Sequence, residues 1–346
     1  MGSIPRIPHN PWIETPLIES AALSRIAGCR IFLKLDNHQP AHSFKSRGIG
    51  NYILQKCLSH PDPNLHFYSS SGGNAGLAAV TAGRALGHPV SVVVPTSTKE
   101  MMVKKIREAG AQDVVQVGAT WAEADRYLRE EILGAGKESN FETGIYVPPF
   151  DHPDIWAGAA TIVEELERQL PDGRPPNAII CSVGGGGLFS GIQTGLEYAG
   201  WVHTTKVIAV EARGAESLSR SLQAGELVTL PGITSQATSL GATRVAAQAF
   251  ELAQSPNMRS VVLGDKEAAA GVVKLAEEER IIVELACGVC VAVVCGGLLR
   301  ELVEGFGEES RVVVEICGGA NVNLEMVEEY RRMGLGMGKD AAAATA

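Results

Sequence analysis

The sequence has no run of lysine or arginine, and its 30 basic residues are outnumbered by 39 acidic ones. The net charge of −9 disfavours nucleic acid and anionic membrane surfaces as partners, because both attract basic patches. No apolar stretch reaches the ~18 residues that a membrane span needs. The longest, Leu285–Leu299, contains three glycines and predicts a buried core helix. The proline-rich start, residues 1–16, has no apolar core and is not expected to be a signal peptide.

Cysteine is too scarce for a disulfide framework. The seven cysteines are an odd number and five lie in apolar runs, which is typical of reduced thiols in a cytoplasmic protein. Cys287 and Cys290 match the C-x-x-C pattern of redox proteins, but they lie inside an apolar helical stretch and not at an exposed helix start. A zinc site has less support still, since no second Cys or His pair lies nearby.

Glycine, in contrast, is abundant, with 39 residues in a chain of 346. The length predicts two domains, because single cores stop growing at roughly 250–300 residues. Apolar β-branched runs alternate with helical patterns in two series, which predicts parallel sheets covered by helices on both faces. We expect an α/β fold of two open, mostly parallel three-layer α/β/α domains. The predicted parts are a small domain at 37–148, a large domain from 1–36 plus 149–334, and a frayed tail at 335–346.

Two polar or glycine-rich loops follow predicted strands, where ligands bind in open α/β sheets. In Val183–Leu188, four consecutive glycines are costly in chain entropy and indicate backbone N–H groups that converge on an anion such as phosphate. No Gly-Lys-Ser/Thr follows, and Phe189 stands where a dinucleotide fingerprint requires glycine or alanine. A tight turn is the alternative. In Ser69–Gly76, hydroxyls and N–H groups could bind a carboxylate, or they could simply cap a helix.

Two other segments carry reactive side chains. Lys45, in Ser43–Gly48, opens a predicted helix, where the local positive potential makes an amine a better nucleophile. A solvated surface lysine is the alternative. Val314–Asn321 ends another predicted strand with a thiol and glycines, which by itself indicates only a strand end.

Together these motifs resemble one family. In order and spacing, SFKSRG, SSGGNAG, GGGGL and EICGGAN are similar to those of the serine/threonine dehydratases, within the fold type II, tryptophan-synthase-β-like pyridoxal-phosphate (PLP) enzymes, and above all to L-serine dehydratases. The resemblance runs from about Trp12 to Glu325. It implies PLP in a cleft between two domains, a small amino-acid substrate and a homodimer. The implied reaction is β-elimination of L-serine, or L-threonine, to pyruvate or 2-oxobutanoate plus ammonia.

The resemblance also implies roles for residues. Lys45 would bind PLP covalently and then act as general base. Phe44 would pack on the pyridine ring, and Asn74 would hydrogen-bond the ring hydroxyl. The phosphate would be bound by backbone N–H groups of Gly184, Gly185, Gly186, Gly187 and Leu188. The substrate carboxylate would be held by Ser71, Gly72, Asn74 and Ala75.

Cys317 would lie against the pyridine nitrogen. A carboxylate there would keep the nitrogen protonated, whereas a thiol with an ordinary pKa of ~8.5 cannot do so strongly. A neutral ring discourages a long-lived carbanion and favours prompt loss of the β-hydroxyl.

The family often carries a monovalent cation such as potassium, for which oxygen ligands are suited. The matching ligands would be the Glu211 carboxylate and the backbone carbonyls of Gly184, Ala215, Leu240 and Ala242. An ordinary salt bridge is the alternative for Glu211. Ser239 departs from the family pattern, where alanine commonly precedes this Leu-Gly pair, and this leaves the substrate preference open.

Three alternative functions remain. The first is another reaction on the same fold: serine racemisation, or β-replacement as in cysteine synthases. The second is a nicotinamide-dependent dehydrogenase, for which the fingerprint is missing. The third is a catalytically silent PLP-binding homologue, against which the intact Lys45, Asn74 and glycine loop argue.

Overall fold

The structure, a computed structural model, describes residues 10–60, 62, 64–134 and 143–335. The sequence before residue 10 and the predicted tail beyond residue 335 lie outside the described residues. Contacts divide the chain into two compact units. Among the described residues, unit 1 comprises 10–13, Gln39–Ala41 and Lys45–Gly158, and unit 2 comprises Glu14–His38, His42–Phe44 and 159–335. The predicted domain boundaries at 37 and 148 stay a prediction. The units differ from the predicted domains at residues 10–13, 37–38, 42–44 and 149–158.

Strands and helices alternate along most of the chain. The strands are β1 (Leu17–Glu19), β2 (Arg30–Lys34), β3 (Leu65–Ser69), β4 (Val90–Val94), β5 (Asp113–Gln116), β6 (Thr143–Tyr146), β7 (Ala178–Ser182), β8 (Lys206–Ala212), β9 (Met258–Leu263) and β10 (Arg311–Glu315). The helices are α1 (Ala21–Ala27), α2 (Lys45–Ser59), α3 (Asn74–Leu86), α4 (Glu100–Glu108), α5 (Trp121–Tyr127), α6 (Pro153–Gln169), α7 (Gly187–Tyr198), α8 (Ser217–Ala224), α9 (Ala247–Leu252), α10 (Asp265–Glu279), α11 (Leu285–Cys295), α12 (Leu299–Leu302) and α13 (Leu324–Leu335). A π-helical turn, Leu128–Leu133, continues α5.

Unit 1 contains a four-stranded sheet in the order β5-β4-β3-β6, with every pair parallel. All five residues of β4 are buried, as expected for a strand that is covered on both faces. The carboxyl ends of β3 and β6 are neighbours, because Tyr68 pairs with Tyr146. The loop Ser69–Gly76 therefore leaves the sheet beside the end of β6.

Unit 2 contains a six-stranded sheet in the order β1-β2-β10-β7-β8-β9. Only β1 runs antiparallel to its neighbour, at one edge. The central strands β7 and β10 are buried along their full lengths. The predicted fold of mostly parallel α/β/α domains is confirmed.

The apolar run at 285–299 forms α11, as predicted, but its bounds differ from the expected ones. Leu285 to Val294 are all buried. The helix begins directly after Glu284, its N-cap residue, and ends at Gly296–Gly297, where Gly297 adopts a left-handed φ of 73°. No helix among the described residues has the length and apolarity to cross a membrane.

Candidate functional site

Lys45 is the first residue of α2, as the sequence predicted. Its Nζ donates a hydrogen bond of 2.6 Å to the carbonyl of Pro149 and lies 5.9 Å from the centre of the Phe150 ring. The amine is therefore held by specific contacts and is not a fully solvated surface group. Phe44, the preceding residue, belongs to unit 2, where its backbone N–H donates to the Cys317 carbonyl at 3.1 Å.

The serine-rich loop lies at the predicted strand-to-helix junction, between β3 and α3. The N-cap residue of α3 is Gly73, which offers no side chain, so the first turn of the helix has no side-chain cap. This geometry favours the anion-binding interpretation over the capping one. The loop is tightly packed, since an added Cβ atom at Gly72 would lie 2.6 Å from Cγ2 of Thr98.

The glycine loop connects β7 to α7 in unit 2. Gly186 is the N-cap of α7 with a left-handed φ of 91°, and no side chain caps this helix start. An added Cβ atom at Gly186 would lie 3.0 Å from Cγ2 of Val245, and one at Gly184 would lie 2.9 Å from Cα of Leu240. A helix start that lacks a side-chain cap and is preceded by consecutive glycines presents bare backbone N–H groups, which fits a phosphate group.

Cys317 follows β10 and precedes two glycines with positive φ, 76° at Gly318 and 122° at Gly319. Its side chain is buried, and Sγ lies 3.7 Å from Oγ of Ser182. A hydrogen bond with Cys287 and burial raise the pKa of the Cys317 thiol well above its ordinary value, and the nearby charge of Glu284 acts in the same direction. The thiol therefore stays protonated at neutral pH.

The C-x-x-C pair does not form a redox site of the thioredoxin kind. Cys287 and Cys290 are both free and buried in α11. Burial raises the pKa of Cys290 well above its ordinary value, so the thiolate that would react is disfavoured.

Glu211 lies in β8, fully buried. Its carboxylate accepts the backbone N–H groups of Leu218 at 2.8 Å and Ser219 at 2.7 Å, in the first turn of α8. Burial raises its pKa to about 7, although these two hydrogen bonds act in the opposite direction. Within the described part of the chain no lysine or arginine is paired with it, so the ordinary salt bridge is not what the structure contains.

The other predicted cation ligands lie close to the same strand end. Val183 N–H donates to the Val210 carbonyl at 2.8 Å, so Gly184 and Glu211 are neighbours at the end of the β7–β8 pair. Gly184 packs against Leu240, and Ala242 N–H donates to the Leu240 carbonyl at 2.8 Å. Ala215 N–H donates to the Ala212 carbonyl, also at 2.8 Å, in the turn after β8.

Sequence reasoning missed two carboxylates that fix the segment before Leu240. Ser239 donates to Glu284, which also accepts the Asn321 N–H at 2.8 Å. Asp265 accepts from the Ser235 hydroxyl at 2.6 Å. The one sequence signal for a role of Glu284 was its position directly before the longest apolar run. Asp265 had no such signal.

The predicted site residues thus fall into two groups. Unit 1 contains Lys45, Ser71, Gly72, Asn74 and Ala75. Unit 2 contains Phe44, Gly184, Gly185, Gly186, Gly187, Leu188, Glu211, Ala215, Leu240, Ala242 and Cys317. Phe44 and Lys45 are consecutive in the chain, and the chain passes from unit 2 to unit 1 between them.

A family model described as pyridoxal-phosphate dependent enzyme matches residues 10–318. The chain belongs to this family. A human relative named serine dehydratase-like is 45% identical over 322 residues, which cover 92% of this chain and 94% of the relative. An L-serine dehydratase of Saccharomyces cerevisiae is 41% identical and covers 90% of this chain and 94% of its own. Among solved structures, a fungal L-serine ammonia-lyase from Rhizomucor miehei matches with a TM-score of 0.85 and 35% identity, over 94% of this chain and 99% of that one.

For this member of the PLP-dependent family, the glycine loop, the start of α7 and the neutral thiol of Cys317 all fit the cofactor that the family binds. The resemblance that the sequence motifs indicated is therefore confirmed, as is the fold type.

Proposed function

We propose that this PLP-dependent enzyme eliminates water from L-serine, and from L-threonine, and that the released enamine takes up one water to give pyruvate or 2-oxobutanoate and ammonia. The observation that carries the proposal is the buried, protonated thiol of Cys317 at the end of β10, in a chain 40–45% identical to relatives named for serine dehydration. A neutral donor at this position suits fast loss of the β-hydroxyl, because it does not protonate the pyridine nitrogen.

PLP, when bound, supplies the electron sink that weakens bonds at the α-carbon of the amino acid. The start of α7 and the backbone N–H groups of Gly184, Gly185, Gly186, Gly187 and Leu188 would hold its phosphate. Phe44 would pack on the ring, and Asn74 would hydrogen-bond the ring hydroxyl. Cys317 would donate weakly to the pyridine nitrogen without surrendering its proton.

The same assignment gives the remaining residues their tasks. Lys45 would attach the cofactor covalently and then, as a free amine, take the α-proton of the substrate as general base. Ser71, Gly72, Asn74 and Ala75 would hold the substrate carboxylate at the start of α3. The proton on Lys45 can then return to product or solvent, so the amine is regenerated.

Product analysis tests the proposal against its alternatives. The purified protein, loaded with PLP, is incubated separately with L-serine, L-threonine, and L-serine plus sulfide. Pyruvate or 2-oxobutanoate with an equal amount of ammonia supports elimination. D-serine alone would establish racemisation, cysteine would establish β-replacement, and absence of any turnover would establish a silent homologue. Borohydride reduction followed by peptide mass analysis identifies the lysine that carries the cofactor.

Replacement of Cys317 by aspartate should lower the rate of elimination relative to racemisation and transamination. A carboxylate beside the ring nitrogen would keep it protonated and stabilise negative charge at the α-carbon. We expect elimination to slow by roughly tenfold to a hundredfold while racemisation or transamination increases. Pyruvate formation and chiral analysis of recovered serine measure both effects. Cys317→Ser is the control, because a hydroxyl is also neutral, and it should retain elimination. An unchanged elimination rate in Cys317→Asp would show that residue 317 does not contact the ring.

We also propose that a monovalent cation such as potassium binds at the Glu211 carboxylate and the carbonyls of Gly184, Ala215, Leu240 and Ala242. Support comes from a fully buried carboxylate beside Gly184 at the end of the β7–β8 pair. Carbonyl dipoles and one charge suit a hard cation.

This site predicts a cation-dependent effect of pH on stability. Because the folded-state pKa of Glu211 is raised from 4.5 to about 7, the contribution of this group to stability is fully present below pH 4.5 and is lost as the pH rises to about 7. The loss amounts to roughly 3 kcal/mol at about 1.4 kcal/mol per pKa unit. A bound cation favours the ionised carboxylate, so the loss should be smaller in potassium than in tetramethylammonium.

Urea unfolding across this pH range in the two salts measures the effect. Glu211→Gln should remove the contribution of this residue to the pH dependence of stability, and with it the difference in stability between the two salts. Turnover of the variant should no longer fall when tetramethylammonium replaces potassium. Equal stability and equal turnover of the unmodified enzyme in both salts would show that no cation binds there.

We further propose that the enzyme acts in the cytoplasm as a homodimer. Every cysteine is free, which suits a reducing compartment. The dimer follows only from the family resemblance, and sedimentation of the PLP-loaded protein tests it.

A further inference from the structure

A hydrogen-bonded cluster in unit 1 ties the residue before Ser71 to a carboxylate outside the loop. Oδ1 of Asp125, on α5, accepts the Ser70 hydroxyl at 2.6 Å and the Tyr146 hydroxyl at 2.7 Å. Oδ2 of the same carboxylate accepts Nε–H of Arg129 at 2.8 Å. One side chain of α5 therefore binds two hydroxyl groups and a guanidinium.

The cluster is buried at Ser70 and Asp125 and exposed to solvent at Arg129. Ser70 is 1% exposed and the Asp125 side chain 14%, whereas the Arg129 side chain is 53% exposed. The Arg129 guanidinium lies 3.8 Å from the centre of the Tyr146 ring, so it covers the phenol as well as pairing with Asp125. Burial raises the pKa of Tyr146, and its hydroxyl therefore stays a donor to the carboxylate.

The two hydroxyls belong to the ends of neighbouring strands. Ser70 directly follows β3, and Tyr146 is the last residue of β6, to which β3 is paired. The Tyr146 carbonyl also accepts the Tyr52 hydroxyl at 2.8 Å, from α2, the helix that begins with Lys45. Asp125 thus fixes the loop at the point where it leaves the sheet, beside a strand that is tied to the helix of the lysine.

We infer that Asp125 is a positioning residue for the amino-acid carboxylate: by binding Ser70 it sets the position of the following loop, Ser71–Asn74. The inference rests on the proposed function, which assigns this loop to the substrate carboxylate. The ion pair alone does not account for Asp125, because an i,i+4 pair whose arginine side chain is 53% exposed contributes little to stability. The short hydrogen bond from Ser70, in contrast, ties a serine at the border of a binding loop to a charged acceptor, and Tyr146 binds the same oxygen from the neighbouring strand.

The test replaces Asp125 by alanine in the PLP-loaded enzyme. We expect KM for L-serine to rise by roughly tenfold, the effect of losing one hydrogen bond to a charged group, with kcat changed by less than about threefold. The affinity for PLP should change by much less than KM, because the glycine loop that would hold its phosphate belongs to unit 2 and only Asn74 of the affected loop would contact the cofactor. Hydrogen exchange provides a second measurement without cofactor or substrate: amides of Ser71–Asn74 should exchange faster in the PLP-free variant than in the PLP-free unmodified protein.

The matched control is Glu108→Ala, which removes the carboxylate of another i,i+4 pair of unit 1, with Lys104 at 3.8 Å and a side chain 63% exposed. It should change neither KM nor loop exchange. Adding Ser70→Ala to Asp125→Ala should raise KM no further, since both changes break the same contact. Should Asp125→Ala fail to fold, Asp125→Asn replaces it, with a smaller rise of KM and faster loop exchange expected.

Unchanged KM and unchanged loop exchange, or equal changes in the Glu108 control, would overturn the inference. If the unmodified enzyme does not turn over L-serine, the proposed function fails, and the exchange measurement alone then decides the role of Asp125. Slower or equal exchange in that measurement overturns it, and faster exchange supports it.

Discussion

Replacement of Lys45 by alanine is expected to abolish elimination, with a loss of at least about 10⁴-fold in turnover, the upper range for a general base. The change removes both the covalent attachment of PLP and the amine that takes the α-proton. Since Lys45 is the first residue of α2 and its Nζ donates to the Pro149 carbonyl, alanine removes the amine while leaving a residue that suits a helix start. Pyruvate release from L-serine measures the loss, and borohydride reduction should no longer attach cofactor to the peptide.

Lys56→Ala is the matched control for this experiment. Lys56 is on the same helix, lies 4.0 Å from the Asp154 carboxylate and 5.0 Å from the centre of the Tyr52 ring, and has a side chain 31% exposed. Its replacement removes an amine from α2 without touching the proposed site, so turnover should stay within about threefold. Near-normal pyruvate release by Lys45→Ala would remove the basis for the proposed mechanism.

Strands buried on both faces were the easiest elements to predict. Examples are β3 (Leu65–Ser69), in which four of five residues are buried, and β8 (Lys206–Ala212), in which six of seven are buried. Strands of this kind contain mostly apolar residues, and glycine or polar residues flank them. The same reasoning placed Lys45, the serine-rich loop and the glycine loop at strand and helix ends, because each has a local sequence signature.

Several short helices could not be predicted, because distant side chains determine where they begin. The start of α8 is bound by Glu211, whose carboxylate reaches the N–H groups of Leu218 and Ser219 from β8. The local sequence there is rich in serine, and its two leucines, Leu218 and Leu222, are too few to predict a helix. In α1, by contrast, signals were present: Ser20 caps Leu23, and Gly28 ends the helix with a φ of 72°. With seven residues, α1 is shorter than the helices that such signals usually predict.

The contacts that position the candidate site were also invisible in the sequence. Ser70 and Asp125 are 55 positions apart, and Ser239 and Glu284 are 45 apart. Neither pair belongs to a motif with fixed spacing. Sequence patterns can identify residues that would touch a cofactor or a substrate, but the side chains that hold those residues in place depend on how helices pack beside strand ends.

The glycine loop gives the second large effect. Gly186→Val should lower PLP affinity by about 100-fold, which corresponds to about 3 kcal/mol of lost phosphate binding. Gly186 has a φ of 91°, where a branched residue is strained, and an added Cβ would clash with Cβ of Ala249 and lie 3.0 Å from Cγ2 of Val245. We therefore expect the backbone of the loop to shift away from Val245. The N–H groups at the start of α7 would then no longer point at one phosphate group.

Gly200→Val separates this effect from backbone strain alone. Gly200 follows the other end of α7 with a φ of 70°, and no atom lies within 4 Å of an added Cβ there. Both variants carry the cost of a valine in the left-handed region, so both should lose thermal stability in the PLP-free state. Only Gly186→Val should also lose PLP, measured by titration of the PLP-free protein and by cofactor absorbance after dialysis. If the two variants bound PLP equally well, the glycine loop would not be the phosphate site, and the start of α7 would be only a tight turn between a strand and a helix.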